Sequence, residues 1–487
     1  MGENQRLFDR LQAHFESGPA PLHMPGHQRN LLLADYLAPL GAGYDITEID
    51  GFDDLHGADG VLAGGMARAA SLWGSRRAWY LVNGSTCGIL AGVWAATQPG
   101  DEVLVSRICH KSVYHAMELR GLCPHYILPA WDARHGAWGS LSAKTVEDAL
   151  DACPNARLLV LTDPTYEGVL SDLPAIVSAA HARGVPVLVD EAHGAHLGFG
   201  RFPPGAVAAG ADLVVQSVHK TLAGLTQTGL LHLNGKRVDE ARICRALSVF
   251  ETSSPSYLLM ASLDACVQLL EARGPALFGA WEERLARFDG QISGLRRLRA
   301  AGHAGDADEA SIVFGRDPSK LVLCTQGTAL TGPQLMTRLR LEWGIEPEMA
   351  SAEYVVAMTG LGTTDQTLER LGEALLDLDG KAGNSGGRPT VSMPGVIPPR
   401  VMTPAQALSL PMEVVPLAQC PGRVSAEYVW AYPPGVPLIV PGEAADGAFL
   451  DCARQLLAHG VALRHTACGG SGSAEGFLHV VSEDAHG

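Results

Sequence analysis

Two short apolar runs, each ending abruptly in polar and charged residues, constrain the fold of this chain more than any other feature. One is Val187-Leu-Val-Asp190-Glu-Ala-His193-Gly-Ala-His196, and the other is Val214-Val-Gln-Ser217-Val-His219-Lys220-Thr221. Unbroken apolar runs of this length mark strands buried on both faces, the pattern of a parallel sheet. Thirty residues separate Asp190 from Lys220, about the length of one strand–helix–strand unit. The spacing therefore predicts two neighbouring parallel strands delivering a carboxylate and a lysine at their carboxyl ends.

The surrounding chain supports this reading. Strands are expected at Val103–Ser106, Leu158–Thr162, Val185–Val189 and Leu213–Ser217, with amphipathic helices at Ala143–Ala152 and Leu173–Arg183. Such alternation predicts an α/β fold, a parallel sheet with helices on both faces. With 487 residues the chain is too long for a single core. Composition shifts suggest an N-terminal arm (1–60), a large domain (61–275), a small α/β domain (276–380), a Gly-rich linker (381–395) and a C-terminal α+β domain (396–487). Ser253-Ser-Pro-Ser-Tyr257 should be a loop before a helix at Leu258–Ala272, since Pro255 cannot sit in a helix interior.

The formal net charge of −16 argues against nucleic acid or anionic membrane partners. No run of about 18 apolar residues is present, so no membrane span is expected. The N-terminus shows no signal peptide. Ten scattered cysteines contain no Cys-x-x-Cys pair, which excludes a zinc ribbon or redox dithiol and fits reduced thiols in a cytoplasmic protein. No metal is expected.

A carboxylate and a lysine on adjacent strand ends suit pyridoxal 5'-phosphate. The lysine bonds the cofactor aldehyde, and the carboxylate keeps the pyridine nitrogen protonated so that the ring accepts electrons. A phosphate clamp should accompany the pair. Asn83-Gly-Ser85-Thr86 opens an apolar helical run and offers hydroxyls and backbone N–H groups. As an isolated feature it would be an ordinary N-cap; beside Asp190 and Lys220 the phosphate reading is preferred. Ser217 and His219 can donate to the same group, and the Asp163-Pro-Thr-Tyr-Glu167 corner should line the pocket. His110, after the Val103–Ser106 strand, can lie against the ring. Lys111 competes with Lys220 as the cofactor lysine, but no Asp-ended strand precedes it by one unit.

These segments resemble the Orn/Lys/Arg decarboxylases of pyridoxal-phosphate fold type I. The resemblance runs in order through Pro21-Leu-His-Met-Pro-Gly-His27, Asp45-Ile-Thr-Glu48, Asp53-Asp-Leu-His56, Asn83-Gly-Ser-Thr86 and Cys109-His-Lys-Ser112. It continues through Asp163-Pro-Thr-Tyr166, the Asp190 and Lys220 segments, Thr252–Ser262, Tyr432-Pro-Pro-Gly-Val-Pro437 and Pro441-Gly-Glu443. It implies a mainly parallel seven-stranded sheet and smaller α+β C-terminal domains. In this chain it implies Lys220 as the cofactor lysine, Asp190 on the pyridine nitrogen, His110 stacked on the ring and His193 flanking it. Ser85, Thr86, Ser217 and His219 would surround the phosphate. Ser253 and Ser254 would reach it from a neighbouring subunit, giving a homodimer with shared sites, or a higher assembly of dimers. The chain begins almost directly at the core, so it resembles the compact bacterial arginine or lysine decarboxylases of polyamine supply more than the large acid-inducible members with an N-terminal wing.

The expected reaction is release of CO2 from arginine, lysine or ornithine, a carboxy-lyase activity on a small cationic amino acid. Lys220 or His219 is the candidate acid that protonates Cα afterwards. Glu48, Asp50 and Glu443 are the candidate carboxylates for the substrate's distal cation. An aminotransferase or lyase on the same scaffold is the first alternative. It would need an arginine clamp for the α-carboxylate, and Arg400, Arg423 and Arg464 show no such setting. A non-catalytic cofactor-binding regulator is the second, disfavoured by the intact Asp190, Lys220 and His110 set.

Overall fold

The computed structural model describes residues 6–30, 32, 35–306, 308–384, 397–432, 436–458, 460–466 and 476–483. Contacts divide the chain into two units, one of residues 1–96, 186–280 and 360–362, the other of residues 97–185, 281–359 and 363–487. Each is assembled from separate stretches of the chain. Residues 385–395 of the expected linker lie outside the described residues.

Seven strands make one mostly parallel sheet: β1 (Arg77–Leu81), β2 (Glu102–Ser106), β3 (Cys123–Ile127), β4 (Leu159–Thr162), β5 (Val187–Asp190), β6 (Leu213–Ser217) and β7 (Gly229–Leu233). In the first unit, β5 and β6 run parallel with Asp190 opposite Val215. Strand β7 is antiparallel to both β6 and β1. Strands β5, β6 and β7 are buried throughout, which is why they read as continuous apolar runs. In the second unit, β2 runs parallel to both β3 and β4.

The crossover from β5 to β6 departs from expectation. Residues 191–212 form turns and contain no helix. Gly194, Gly198, Gly200, Pro203, Pro204, Gly205 and Gly210 occupy this stretch, and Gly and Pro disfavour helix interiors by about 1 and 3 kcal/mol respectively. The thirty-residue spacing is thus filled by turns, such as Gly194 N–H onto Glu191 and Gly198 N–H onto Pro203.

Helices alternate with these strands along the chain. They are α1 (Leu7–Ser17), α2 (Val61–Trp73), α3 (Gly84–Ala96), α4 (Lys111–Arg120), α5 (Ala143–Ala152), α6 (Leu173–Ala182), α7 (Val218–Thr221), α8 (Glu240–Phe250) and α9 (Tyr257–Ile292). Helix α9 starts where Pro255 predicts but runs twenty residues beyond the expected end, through Pro275. Helix α3 lies so close to the sheet that a Cβ on Gly88 would sit 2.7 Å from Leu81 Cδ1 and 2.9 Å from Val215 Cγ1. Gly92 faces Leu188 in the same way, at 2.6 Å.

In the second unit Lys320–Cys324 and Tyr354–Met358 pair antiparallel. A C-terminal α+β region follows, with helix Gly447–Ala458 packed in a core with Val429, Ile439 and Val480. No described helix is long and apolar enough to cross a membrane.

Gly88→Val should destabilise the protein by about 3 kcal/mol, the upper end for overpacking a filled site. The shift in urea midpoint at constant m-value measures it; an unchanged midpoint would mean α3 is free to lift from the sheet.

Candidate active site

The first unit brings Asp190, His193 and Lys220 together. Asp190 ends β5 and is 3% exposed. Its Oδ1 accepts the Ala192 N–H at 3.1 Å. Burial raises the Asp190 pKa, while the positive charge of Lys220 and that N–H pull it back. Lys220 sits in α7, one turn past the end of β6, and its Nζ lies 3.0 Å from His193 Nε2. Parallel pairing of β5 and β6 brings both residues to the same end of the sheet, where the Lys220 charge acts on the Asp190 carboxylate. A carboxylate this deep is stable as an anion only with a cation beside it.

Ser85 lies in the first turn of α3, and its Oγ is 2.5 Å from Oγ of the buried Ser217. Two linked hydroxyls can direct one proton outward while the other bonds its neighbour. Gly84, with φ +74°, makes the strand-to-helix turn, and its N–H bonds the Gln227 carbonyl at 2.9 Å. Thr86 is exposed in the same turn. The first turn of a helix leaves N–H groups without intrahelical partners, and its dipole favours an anion. His219 Nδ1 lies 2.8 Å from the Thr228 carbonyl, so Nδ1 carries a proton and donates it. Burial lowers the His219 pKa, which leaves Nε2 as an acceptor in the neutral ring. Ser253 and Ser254 are exposed in the loop before α9. Glu48 and Asp50 are exposed in the N-terminal arm.

Behind Asp190 runs a buried polar chain that the sequence reading missed. Glu191 accepts from Gln216 Nε2 and from the Ala206 N–H, each at 2.6 Å. Gln216 Oε1 is 3.1 Å from His232 Nε2, and Ser75 Oγ is 3.0 Å from His232 Nδ1. Burial lowers the His232 pKa to about 3, so the ring is neutral and uses one nitrogen as donor and one as acceptor. The chain stitches β5, β6 and β7 together directly beneath the site.

His110 belongs to the second unit. It caps α4, its Nδ1 accepting the Ser112 N–H at 3.3 Å, and it is exposed, as is Lys111. Asp163 is buried and receives the Ser171 N–H at 2.6 Å. Burial raises its pKa to about 7. Glu167 accepts from the Tyr354 hydroxyl at 2.6 Å. Both acidic residues of the Asp163–Glu167 corner are thus bonded within the protein, to Ser171 and Tyr354.

Glu443 does not fit the expected contact with a substrate cation. It is 0% exposed, and both its oxygens are held by Arg107, at 2.7 and 2.8 Å. Oε2 also accepts the Val440 N–H at 3.0 Å. Arg107, 3% exposed, lies 4.7 Å above the Tyr126 ring, and its carbonyl accepts from the Tyr114 hydroxyl at 2.7 Å. The carboxylate is fully engaged, and the pair anchors the loop that ends in His110. Residues 433–435 of the neighbouring motif lie outside the described residues.

The pattern described as Orn/Lys/Arg decarboxylase, major domain, matches residues 5–286, and that of the C-terminal domain of the same enzymes matches residues 392–459. The chain belongs to the Orn/Lys/Arg decarboxylase family. Within it, an arginine decarboxylase of Halalkalibacterium halodurans is 32% identical over 91% of both chains. The lysine decarboxylase LdcA of Pseudomonas aeruginosa is 25% identical over 93% of this chain and 75% of its own length. The solved lysine decarboxylase LdcF of Francisella novicida superposes with a TM-score of 0.81 at 19% identity, covering 98% of this chain and 81% of its own. That likeness shows the decarboxylase fold across nearly the whole chain.

Glu443→Ala should cost about 3–5 kcal/mol, because it strands the Arg107 charge in the interior. The double variant Arg107→Met/Glu443→Leu should recover most of that loss. Urea unfolding measures both; equal destabilisation by single and double variants would mean that packing rather than charge is at stake.

Proposed function

We propose that this protein decarboxylates a basic L-amino acid with pyridoxal 5'-phosphate, and that arginine is the first substrate to test. The observation that carries the proposal is the buried Asp190 beside Lys220 at the aligned ends of β5 and β6. The donor set fits the cofactor: an amine to bond its aldehyde, a buried carboxylate to face its ring nitrogen, and the Ser85–Ser217 hydroxyls at the α3 start to meet its phosphate. When bound, the cofactor supplies an electron sink for the bond broken at Cα. The arginine choice rests on a relative of that name, matched along 91% of its own length, against 75% for the lysine enzyme.

Each residue has a definable task. Asp190, a carboxylate made more basic by burial, would hold a proton on the cofactor's ring nitrogen. Lys220 would hold the cofactor through its amine, and the same amine would be the group to return a proton to Cα. His219 suits that task less, because its one proton is committed to the Thr228 carbonyl. His193 orients Lys220 through their hydrogen bond. His110 would cover the ring. Glu48 and Asp50 remain the carboxylates for the distal cation.

A second copy of the chain would complete the site. The N-terminal arm exposes Leu22 (92%) and Tyr36 (71%) to solvent, large apolar side chains that call for cover. The exposed Ser253 and Ser254 suit a phosphate in a partner subunit.

Offering arginine, lysine and ornithine in parallel to the purified protein with cofactor, and weighing the products, tests the reaction. Loss of CO2 with the amino group retained is expected; transfer of the amino group to an oxo-acid would overturn the reading. In Lys220→Ala, borohydride should no longer fix cofactor to the chain, whereas Lys111→Ala should be fixed normally. Asp190→Asn should still bind cofactor but turn over about 10²–10³-fold more slowly, the scale of losing one preorganised electrostatic partner. Mixing Lys220→Ala with Ser253→Ala/Ser254→Ala chains should restore roughly a quarter of full activity for random pairing, and about half in isolated mixed dimers. No recovery would mean that each site is built from one chain.

A further inference from the structure

Outside the active site, three side chains of different chemistry converge in the second unit. Glu102 opens β2, His125 lies on β3 and Cys153 caps the C-terminus of α5. Parallel pairing sets Leu104 opposite His125 and Glu102 opposite Cys123. Backbone bonds hold the positions: Arg157 N–H to the Glu102 carbonyl at 2.9 Å, and Cys153 N–H to the Ala149 carbonyl at 3.0 Å. Both His125 Nε2, at 2.8 Å, and Cys153 Sγ, at 3.2 Å, approach the same oxygen, Glu102 Oε2. The three ligand atoms all lie within 4.8 Å of one another.

We infer that Glu102, His125 and Cys153 form a binding site for a zinc-class divalent cation, with water as the fourth ligand. Bonds of about 2.0–2.3 Å to nitrogen, oxygen and sulfur make a tetrahedron with edges of roughly 3.3–3.5 Å. The two edges at Glu102 Oε2, 2.8 and 3.2 Å, therefore need to open by only about half an ångström or less, and the His125–Cys153 edge, within 4.8 Å, settles to about 3.5 Å around the ion. Thiolate with imidazole selects zinc-like ions over calcium or magnesium, which prefer all-oxygen sites. Cys153 is buried, while Glu102 and His125 are each about one third exposed, so one side stays open to water. A second cluster, Asp132, His135 and Asp308, has comparable ligands. There the Arg316 guanidinium already bonds Asp308 at 2.8 Å and lies 3.6 Å from Asp132. A cation occupies that cluster as part of the chain. Among the described residues no arginine or lysine pairs with Glu102, whose other oxygen, Oε1, lies 3.5 Å from Asn155 Nδ2. An ion there would tie the start of β2, the strand β3 and the end of α5 together.

The test is a cobalt titration of the reduced, metal-stripped holoenzyme. Wild type should take up one Co2+ per chain with the visible ligand-field bands of a tetrahedral site, and Zn2+ should displace it. Cys153→Ser and His125→Gln should each bind at least about tenfold more weakly, since even outer-shell changes cost 10–100-fold. The melting temperature should rise with Zn2+ in wild type and much less in either variant. Unchanged cofactor absorbance in all three proteins shows that the variants are folded. Absence of tetrahedral bands in wild type, or undiminished affinity in Cys153→Ser, overturns the site.

Discussion

The structure turns on one costly arrangement, a carboxylate buried at the end of a parallel strand with a lysine beside it. Isolated, the Asp190 anion would be expelled from such a place by desolvation. It is tolerable because β5 and β6 are parallel and in register, so that Lys220 and the turn after Asp190 stand at the same end of the sheet. Strands β5, β6 and β7 are buried along their length, and the Glu191–Gln216–His232–Ser75 chain bonds them from beneath. A buried polar chain with its partners satisfied specifies register more sharply than apolar packing, since a slip of one residue would orphan every member. The pair at the top is precise because the layer below cannot slide.

The same physics, used differently, explains the Arg107–Glu443 pair. Two desolvated charges separated by 336 residues are a poor source of net stability compared with apolar side chains of the same volume. They are a strict source of placement, because the bidentate geometry admits one orientation. Arg107 is three residues before His110 and also fixes the loop through Tyr114. The pair therefore holds the strand-to-helix turn from which His110 projects.

Much of this was legible in the chain and some was not, for identifiable reasons. Strands β2, β4, β5 and β6 and the helices Ala143–Ala152 and Leu173–Ala182 stood out because local patterning and burial agree there. Strand β7 was missed, since Gly229-Leu-Leu-His-Leu hides its buried histidine in a run that reads as a loop edge. The β5–β6 crossover was misread because spacing alone cannot tell a helix from a chain of Gly and Pro turns. Asp190 and Lys220 were readable as a pair since both ends of the unit are local to one supersecondary step. Glu443 was not, because its role depends on Arg107, and no periodicity connects residues so far apart.

The Glu102, His125 and Cys153 cluster shows the same limit from another side. Metal motifs are recognised when ligands recur at fixed short intervals on one turn or helix. Here each ligand comes from a different element, two strands and a helix end, and the intervals carry no pattern. The sheet supplies the spacing instead, through the register of β2 on β3 and the return of α5 towards the start of β2. Sites assembled by topology in this way become visible only once the strands are paired.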